Sequence, residues 1–365
     1  MFQLSWRKFL TYIWVLPVII GIVQLSPRAF DAAEILLLND TYKLAKYRLS
    51  SLPSEQYEKQ IQLAIEGKDI ELADSIVLLA QQQNVMLDSK ILEDLEQEKG
   101  FWKTSTRVSQ DLWSGVTTGE SVGMAGLSAA LVSDMTSIGD VRDFASEIKR
   151  WPDQDNIVLA LSGTGLLLTG ATVMSAGAAA PMKTGISIVK LAKKTGRISK
   201  GLSVQIKNLS KEIVDKKILG EMANKFKNIR FSQLVSANYW DDLTVTASKL
   251  ISINKANQVL GIGGSINNIK STAGFKGALD ALSRADSIKD IKRLEYLSGK
   301  LKSAFRGALM ILPDIAKSVY RVSMFLIEVI ALLISIITAL IYVAWVVVKM
   351  CKSIFKGRIS DIGSV

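Results

Sequence analysis

VSMFLIEVIALLISIITALIYVAWVVV, residues 322–348, decides the fold class: twenty-seven residues with Glu328 as the sole charge. At about 1.5 Å rise per residue, such a helix exceeds the roughly 30 Å of hydrocarbon in a bilayer, so it spans with tilt. The competing reading is a buried core helix, and so long a nearly uncharged run weighs against it. Tyr342 and Trp345 stand near its end, where amphipathic rings favour the membrane interface, and Lys349, Lys352, Lys356 and Arg358 follow at once. Basic residues just beyond a span mark the cytoplasmic side. Glu328, about two turns inside, is read as lying near the outer interface, where a carboxylate costs less than at the bilayer centre.

At the other end of the chain, Phe9–Leu25 is seventeen residues without a charge, preceded by Arg7 and Lys8 and followed by Arg28. That is signal-sequence length, but a cleavable signal needs small residues at the third and first positions before the cut. Cutting after Ala33 puts Asp31 at the first of those places, and cutting after Ala32 puts Phe30 there. An uncleaved anchor over 1–27 is expected. Basic flanks at both ends favour the cytoplasm, so the number of crossings is even, two or four. With two, the residues from about Arg28 to Arg321 lie outside the cytoplasm, which is the periplasm for a bacterial inner-membrane protein.

The 365 residues carry 45 Lys and Arg against 34 Asp and Glu, a net of +11, with one Cys and no His. Having no histidine removes Ser-His-Asp and Cys-His catalysis, His-ligated zinc or iron and imidazole switches. A single cysteine forms neither an internal disulfide nor a thiolate cluster. Cys351 is read as an idle thiol, and serines and lysines are plentiful without a spacing that singles out a Ser-Lys pair. No enzyme, cofactor or metal is therefore expected.

Charge is unevenly divided between the apolar ends. Residues 28–155 hold 13 basic and 22 acidic side chains, whereas 156–321 hold 26 and 10. Two readings follow: the halves attract one another, or the basic half lies on anionic headgroups. Nucleic acid is not expected, since no recognisable binding module accompanies the charge.

The acidic region, 28–111, shows helical periodicity between Ser54 and Glu98. Tyr57, Ile61, Leu63, Ala64 and Ile65, then Ile70, Leu72, Ala73, Ile76, Val77 and Leu79, recur at three- and four-residue steps around a Glu66-Gly67-Lys68-Asp69 turn. Ser54 is expected to cap the first helix and Asp88 the third, Ser89–Glu98. The stretch reads as one helical-hairpin unit, either an ordinary bundle layer or a peptide-binding surface.

Residues 112–182 form the glycine-rich centre. Gly115, Gly119 and Gly123, continued by Gly126, make a small-residue stripe that admits a close helix neighbour. Asn156–Met182 is a second uncharged stretch, of twenty-seven residues, and a polar connector holding Asp134, Asp140, Arg142 and Asp143 separates the two. Only thirteen uncharged residues lie between Glu120 and Asp134, too few to span. The pair is read as a hairpin, packed within the domain or inserting conditionally.

The order of a glycine-spaced helix, an "IGDVRDF" turn, an apolar glycine-rich helix and a "PMKTGISIVKLAKKTGRIS" basic helix resembles a family of uncharacterised proteobacterial membrane proteins. The likeness is sharpest over 112–199 and follows the order of features along most of the chain. A fainter similarity is to the glycine- and aspartate-containing segments that precede toxin domains in polymorphic bacterial toxins, which implies membrane passage or docking. No nuclease- or protease-like domain follows here, so no toxin activity is implied, and neither resemblance transfers a functional residue.

In the basic region, 183–321, Ile186, Ile188, Val189 and Leu191 lie among lysines, a composition for a lipid interface or a solvated face. "GIGGS", 261–265, lacks the phosphate-loop ending and is read as a turn before a helix near Ile266. Asp241 and Asp242 of "YWDD" are read as a helix cap. From Ser287 or Asp286 as cap, Ile288, Ile291, Leu294, Leu297, Leu301, Phe305 and Leu309 make one apolar stripe to pack on Phe275, Leu279 and Leu282 before Pro313 ends the run.

These readings combine into an all-α membrane protein with an N-terminal anchor, a glycine-rich central hairpin, a transmembrane helix over 322–348 and a basic cytoplasmic tail over 349–365. The expected function is that of a non-enzymatic scaffold or partner-binding protein of the bacterial inner membrane, both termini cytoplasmic. Its partners are the lipid bilayer and another protein or a second copy of itself. The alternative is a membrane-perturbing or pore-forming protein acting through 112–182.

Overall fold

The computed structural model describes residues 41–110, 137–227, 237–315 and 333–349. The chain divides into two compact units, Ala45–Lys317 and a second made of Met1–Leu44 with Ser318–Val365. Helix is the only extended regular structure among the described residues, beside a single antiparallel bridge between Val214 and Ile251. The all-α expectation holds.

In the second unit, residues 333–349 form a helix that exposes Ile334, Ile337, Ile341, Trp345 and Val348. Tyr342 stacks on Trp345 with centroids 6.4 Å apart, and Lys349 Nζ lies 4.6 Å over the indole. Among the described residues no helix is long and apolar enough to cross a membrane. The 9–25 run, Glu328, Cys351, Lys352 and Lys356 lie outside those residues, and the 322–348 run is described only from 333.

The first unit begins at Ala45, inside α1 (Thr41–Ser50), and continues with α2 (Ser54–Glu66), α3 (Ile70–Gln82) and α4 (Ser89–Gln110). Tyr57, Ile61 and Ala64 of α2 and Ala73, Ile76 and Leu79 of α3 are buried, as their spacing predicts, whereas Ile65, Ile70, Leu72 and Val77 are half-buried and Leu63 is exposed, at the margin of the buried face. Asp69 caps α3 by accepting from Leu72 N, and Asp88 accepts from Lys90 N at the start of α4. Ser54 is not the cap expected of it. Pro53 occupies the N-cap of α2 without a side-chain bond, which leaves Ser54 as the first helical residue. The third helix also runs to Gln110, past Glu98.

The bundle continues with α5 (Ser137–Lys149), α6 (Asn156–Met174), α7 (Ala180–Lys194), α8 (Lys200–Ile213), α9 (Lys216–Phe226) and α10 (Ala237–Leu250). After these come α11 (Ile253–Arg284), α12 (Ile288–Leu301), a 3₁₀ turn (Lys302–Ala304) and α13 (Phe305–Ile311). The centre is α6, packed against α5, α7, α8 and α10. Its residues 157–166 are all buried, which accounts for a nearly uniform apolar sequence without a polar face. The first part of the uncharged stretch 156–182 is thus packed within the domain, and the arm it was read as pairing with, 112–134, lies outside the described residues. The stretch is a core helix to Met174, an exposed bend, and the first turn of α7. The stripe Gly115, Gly119, Gly123 and Gly126 lies outside the described residues.

Three further expectations change. Residues Gly185–Ala192 of α7 are buried in succession, so this helix is neither interfacial nor solvated but a core element against α6 and α11. "GIGGS" lies inside α11 and makes no turn; the break in that helix comes at Gly274, with φ of +78°. Asp241 and Asp242 sit past the first turn of α10, so they do not cap it. The stripe from Ile291 to Leu309 is buried as expected and Ser287 caps α12, but the 3₁₀ turn interrupts the helix between Leu301 and Phe305.

Candidate functional site

The two segments that carry the family resemblance meet in a buried ion cluster. Asp140, Asp143 and Glu147, at steps of three and four along α5, share one face, and all three are buried. Lys183, Lys190 and Lys194, at steps of seven and four, share a face of α7. Lys190 Nζ lies 2.6 Å from Asp140 Oδ1 and 3.1 Å from Asp143 Oδ2, and Lys194 Nζ lies 2.5 Å from the same Asp143 oxygen. The Lys190 side chain is 0% exposed and that of Asp140 1%.

The sequence makes room for this group. A Cβ at Gly165 of α6 would overlap the Asp140 carboxylate where it now stands, so glycine here leaves the acid the place from which it meets Lys190. Glu147 closes the end of the row: its Oε2 accepts from Asp155 N at 2.6 Å, and its Oε1 pairs with Arg150. Asp155 in turn caps α6, accepting from Ile157 N and Val158 N, and pairs with Lys193 of α7 at 3.0 Å. Burial pushes the Asp143 pKa up, but Lys190, Lys194 and Arg142 together outweigh it and hold the carboxyl below its usual range. Lys183 is lowered, first by burial and then by the charge of Lys190, with Asp140 opposing.

A second cluster centres on Arg306, which is 6% exposed in α13. Its guanidinium donates to both oxygens of Asp69, at 3.2 and 2.8 Å, and through Nε to Asp280 at 2.8 Å. Lys276 adds bonds to Asp69 and Glu71 at 3.2 and 3.1 Å. Beside it, Gly307 N donates to Ser75 Oγ, which donates to Ser303 O at 2.6 Å. Burial would raise the Asp69 carboxyl, yet the Arg306 bonds and charge, with Lys276, lower it to about 2 from the ordinary 3.8.

The pH consequence has a definite sign. Because folding lowers the Asp69 pKa, its stabilisation is complete above pH 4 or so and disappears as pH falls toward about 2. Asp69→Asn should lower the denaturation midpoint at pH 6, with the gap to the parent closing between roughly pH 4 and 2. A gap independent of pH would refute the ionic role.

These clusters answer the charge asymmetry. Asp69, Glu71, Asp140, Asp143 and Asp155 belong to the acidic half, whereas Lys190, Lys193, Lys194, Lys276 and Arg306 belong to the basic half, and each pairs across the divide. Mutual attraction, one of the two readings, operates inside the unit. Among the described residues no group of three or more Cys, Asp or Glu side chains is arranged to hold a metal ion. Trp345 and Lys349 belong to the other unit, and the glycine stripe, Lys352 and Lys356 lie outside the described residues. The matched spacing of acids in "IGDVRDFASE" and lysines in "KTGISIVKLAKK" was the available signal. Compared with protein-family models, curated proteins and solved structures, the chain matches none.

Proposed function

We propose that the protein is a non-enzymatic scaffold of the bacterial inner membrane, held by apolar segments at both ends, with cytoplasmic termini and a periplasmic helical unit that engages another protein or a second copy of itself. One observation carries this reading: the buried charges are spent joining helix to helix, Asp140 to Lys190 and Asp69 to Arg306, rather than converging on a cleft. A bundle stapled in this way suits a fixed surface better than a reaction. The membrane attachment rests on the 9–25 and 322–348 runs, supported by the grouping of Tyr342, Trp345 and Lys349.

Reporter fusions that fluoresce only in the cytoplasm should glow at the C-terminus and stay dark at about residue 100. A bright fusion there sinks the orientation, and release of the intact chain by carbonate sinks the membrane attachment. The membrane-perturbing alternative would require α6 to leave the centre of the bundle, exposing core residues such as Leu159, Leu161 and Leu166.

A further inference from the structure

Apart from Lys193 and Lys194, which pair with Asp155 and Asp143, one concentration of positive charge stands outside the ion pairs that cross between the halves. Residues 193–227 hold ten basic and three acidic side chains. Helix α8 lies in the middle of them and buries Leu202, Ile206, Ser210 and Ile213. Its opposite face presents Lys200, Val204, Lys207 and Lys211, at steps of four, three and four, all exposed in a row about 16 Å long.

An open groove flanks each end of the row. At the start of α8 a groove of about 720 Å³ is lined by Arg150, Lys193, Lys200 and Lys207, with Asp153 and Asp155 among its walls. Two of these cations are partly committed, Lys193 to Asp155 and Arg150 to Glu147. At the end of α8 a groove of about 870 Å³ is lined by Lys211, Lys249 and Lys255, with Glu212 and Asp215. Its floor is fixed by bonds from Asp215 N to Leu250 O and from Ser252 N to Ile213 O, each 3.0 Å. Asp215 is also engaged in capping α9 through Lys217 N and Ile218 N, and the exposed Lys216 and Lys217 extend the basic surface there.

We propose that this face, the Lys200-Val204-Lys207-Lys211 row with its two grooves, docks on anionic phospholipid headgroups. The inference rests on the membrane-anchored reading above and adds the surface that lies on the bilayer. Charge complementarity gives the sign of the partner. Val204, 58% exposed at the centre of the row, and Ile198 in the first groove add apolar contact at a headgroup boundary, while the lysine stems reach around them. Helix α8 itself offers no aromatic ring on which a base could stack, the exposed Trp151 lying beside Arg150 outside the row. The apolar runs at both chain ends would keep the face at high effective concentration near a membrane.

The test uses the full chain reconstituted in lipid nanodiscs of phosphatidylcholine alone or with about a third phosphatidylglycerol, followed by amine acylation and mass spectrometry. Lys200, Lys207 and Lys211 should be modified several-fold more slowly in the anionic discs, and salt of about 0.5 M should remove the difference. The exposed Lys59 and Lys90 of the acidic layer should react alike in both. A Lys200→Glu, Lys207→Glu, Lys211→Glu variant with unchanged helical circular dichroism should lose the lipid-dependent protection of Lys216 and Lys217. Equal labelling in both discs, with the chain retained in them, overturns this inference alone. Failure of the chain to enter either disc overturns the anchored reading and the inference with it. Protection by an added oligonucleotide but not by anionic lipid assigns the face to nucleic acid and overturns the proposal.

Discussion

Replacing Lys190 by methionine is expected to destabilise the helical unit by about 3–5 kcal/mol, the usual cost of leaving one member of a buried ion pair uncompensated. Methionine keeps most of the stem, so the loss reports charge rather than a cavity. Asp143 retains Lys194, but Asp140, 1% exposed and wedged against Gly165, loses the ammonium that sits 2.6 Å away. The melting temperature should fall by on the order of 10 °C. Adding Asp140→Asn to Lys190→Met should recover most of that loss, since a neutral pair has no unpaired charge to desolvate. If the single variant melts within about 2 °C of the parent, Asp140 takes up its proton at little cost and the pair is not a staple.

What was legible in the sequence follows from what a single helix records about itself. Periodicity placed α2, α3 and α12 and their buried faces, because burial of one face is written at three- and four-residue steps within the element. The charge division offered attraction between halves as one of two readings, yet which acid meets which lysine did not follow. That choice depends on how α5 and α7 are set against each other with α6 between them, and no spacing inside either helix specifies that register. Hydropathy also gave α6 the composition of a membrane segment. A helix enclosed by α5, α7, α8 and α10 needs the same composition, and an apolar run alone does not distinguish protein from lipid as its surroundings. Lysines in α7 read as a wet face for a similar reason: Lys190 is buried, and only its partners on another helix make that affordable.

The glycines bear the same lesson in a form that can be measured. Three glycines in four residues argued for a turn at 261–264, but tertiary packing holds the segment helical and uses the glycines unequally. A Cβ at Gly185 of α7 would overlap the carbonyl oxygen of Gly263 in α11, and a Cβ at Gly263 would fall 2.8 Å from Met182 O and from Ile186 Cγ1. The two backbones touch here, at the most extensive helix contact of the unit, and neither carbonyl can yield without separating the helices. Gly261 and Gly264 have no atom within 4 Å of such a position. Gly185→Ala and Gly263→Ala should therefore each lower stability by about 1–3 kcal/mol, with Gly185→Ala the worse because its clash is with backbone alone. Gly261→Ala and Gly264→Ala should raise it by up to about 1 kcal/mol through helix propensity. Denaturant midpoints of the four full-length variants at unchanged slope provide the measurement. Opposite signs within one four-residue segment require the close approach of α7 and α11, whereas a common sign for all four would show that these glycines answer only to propensity and that the helices stand further apart.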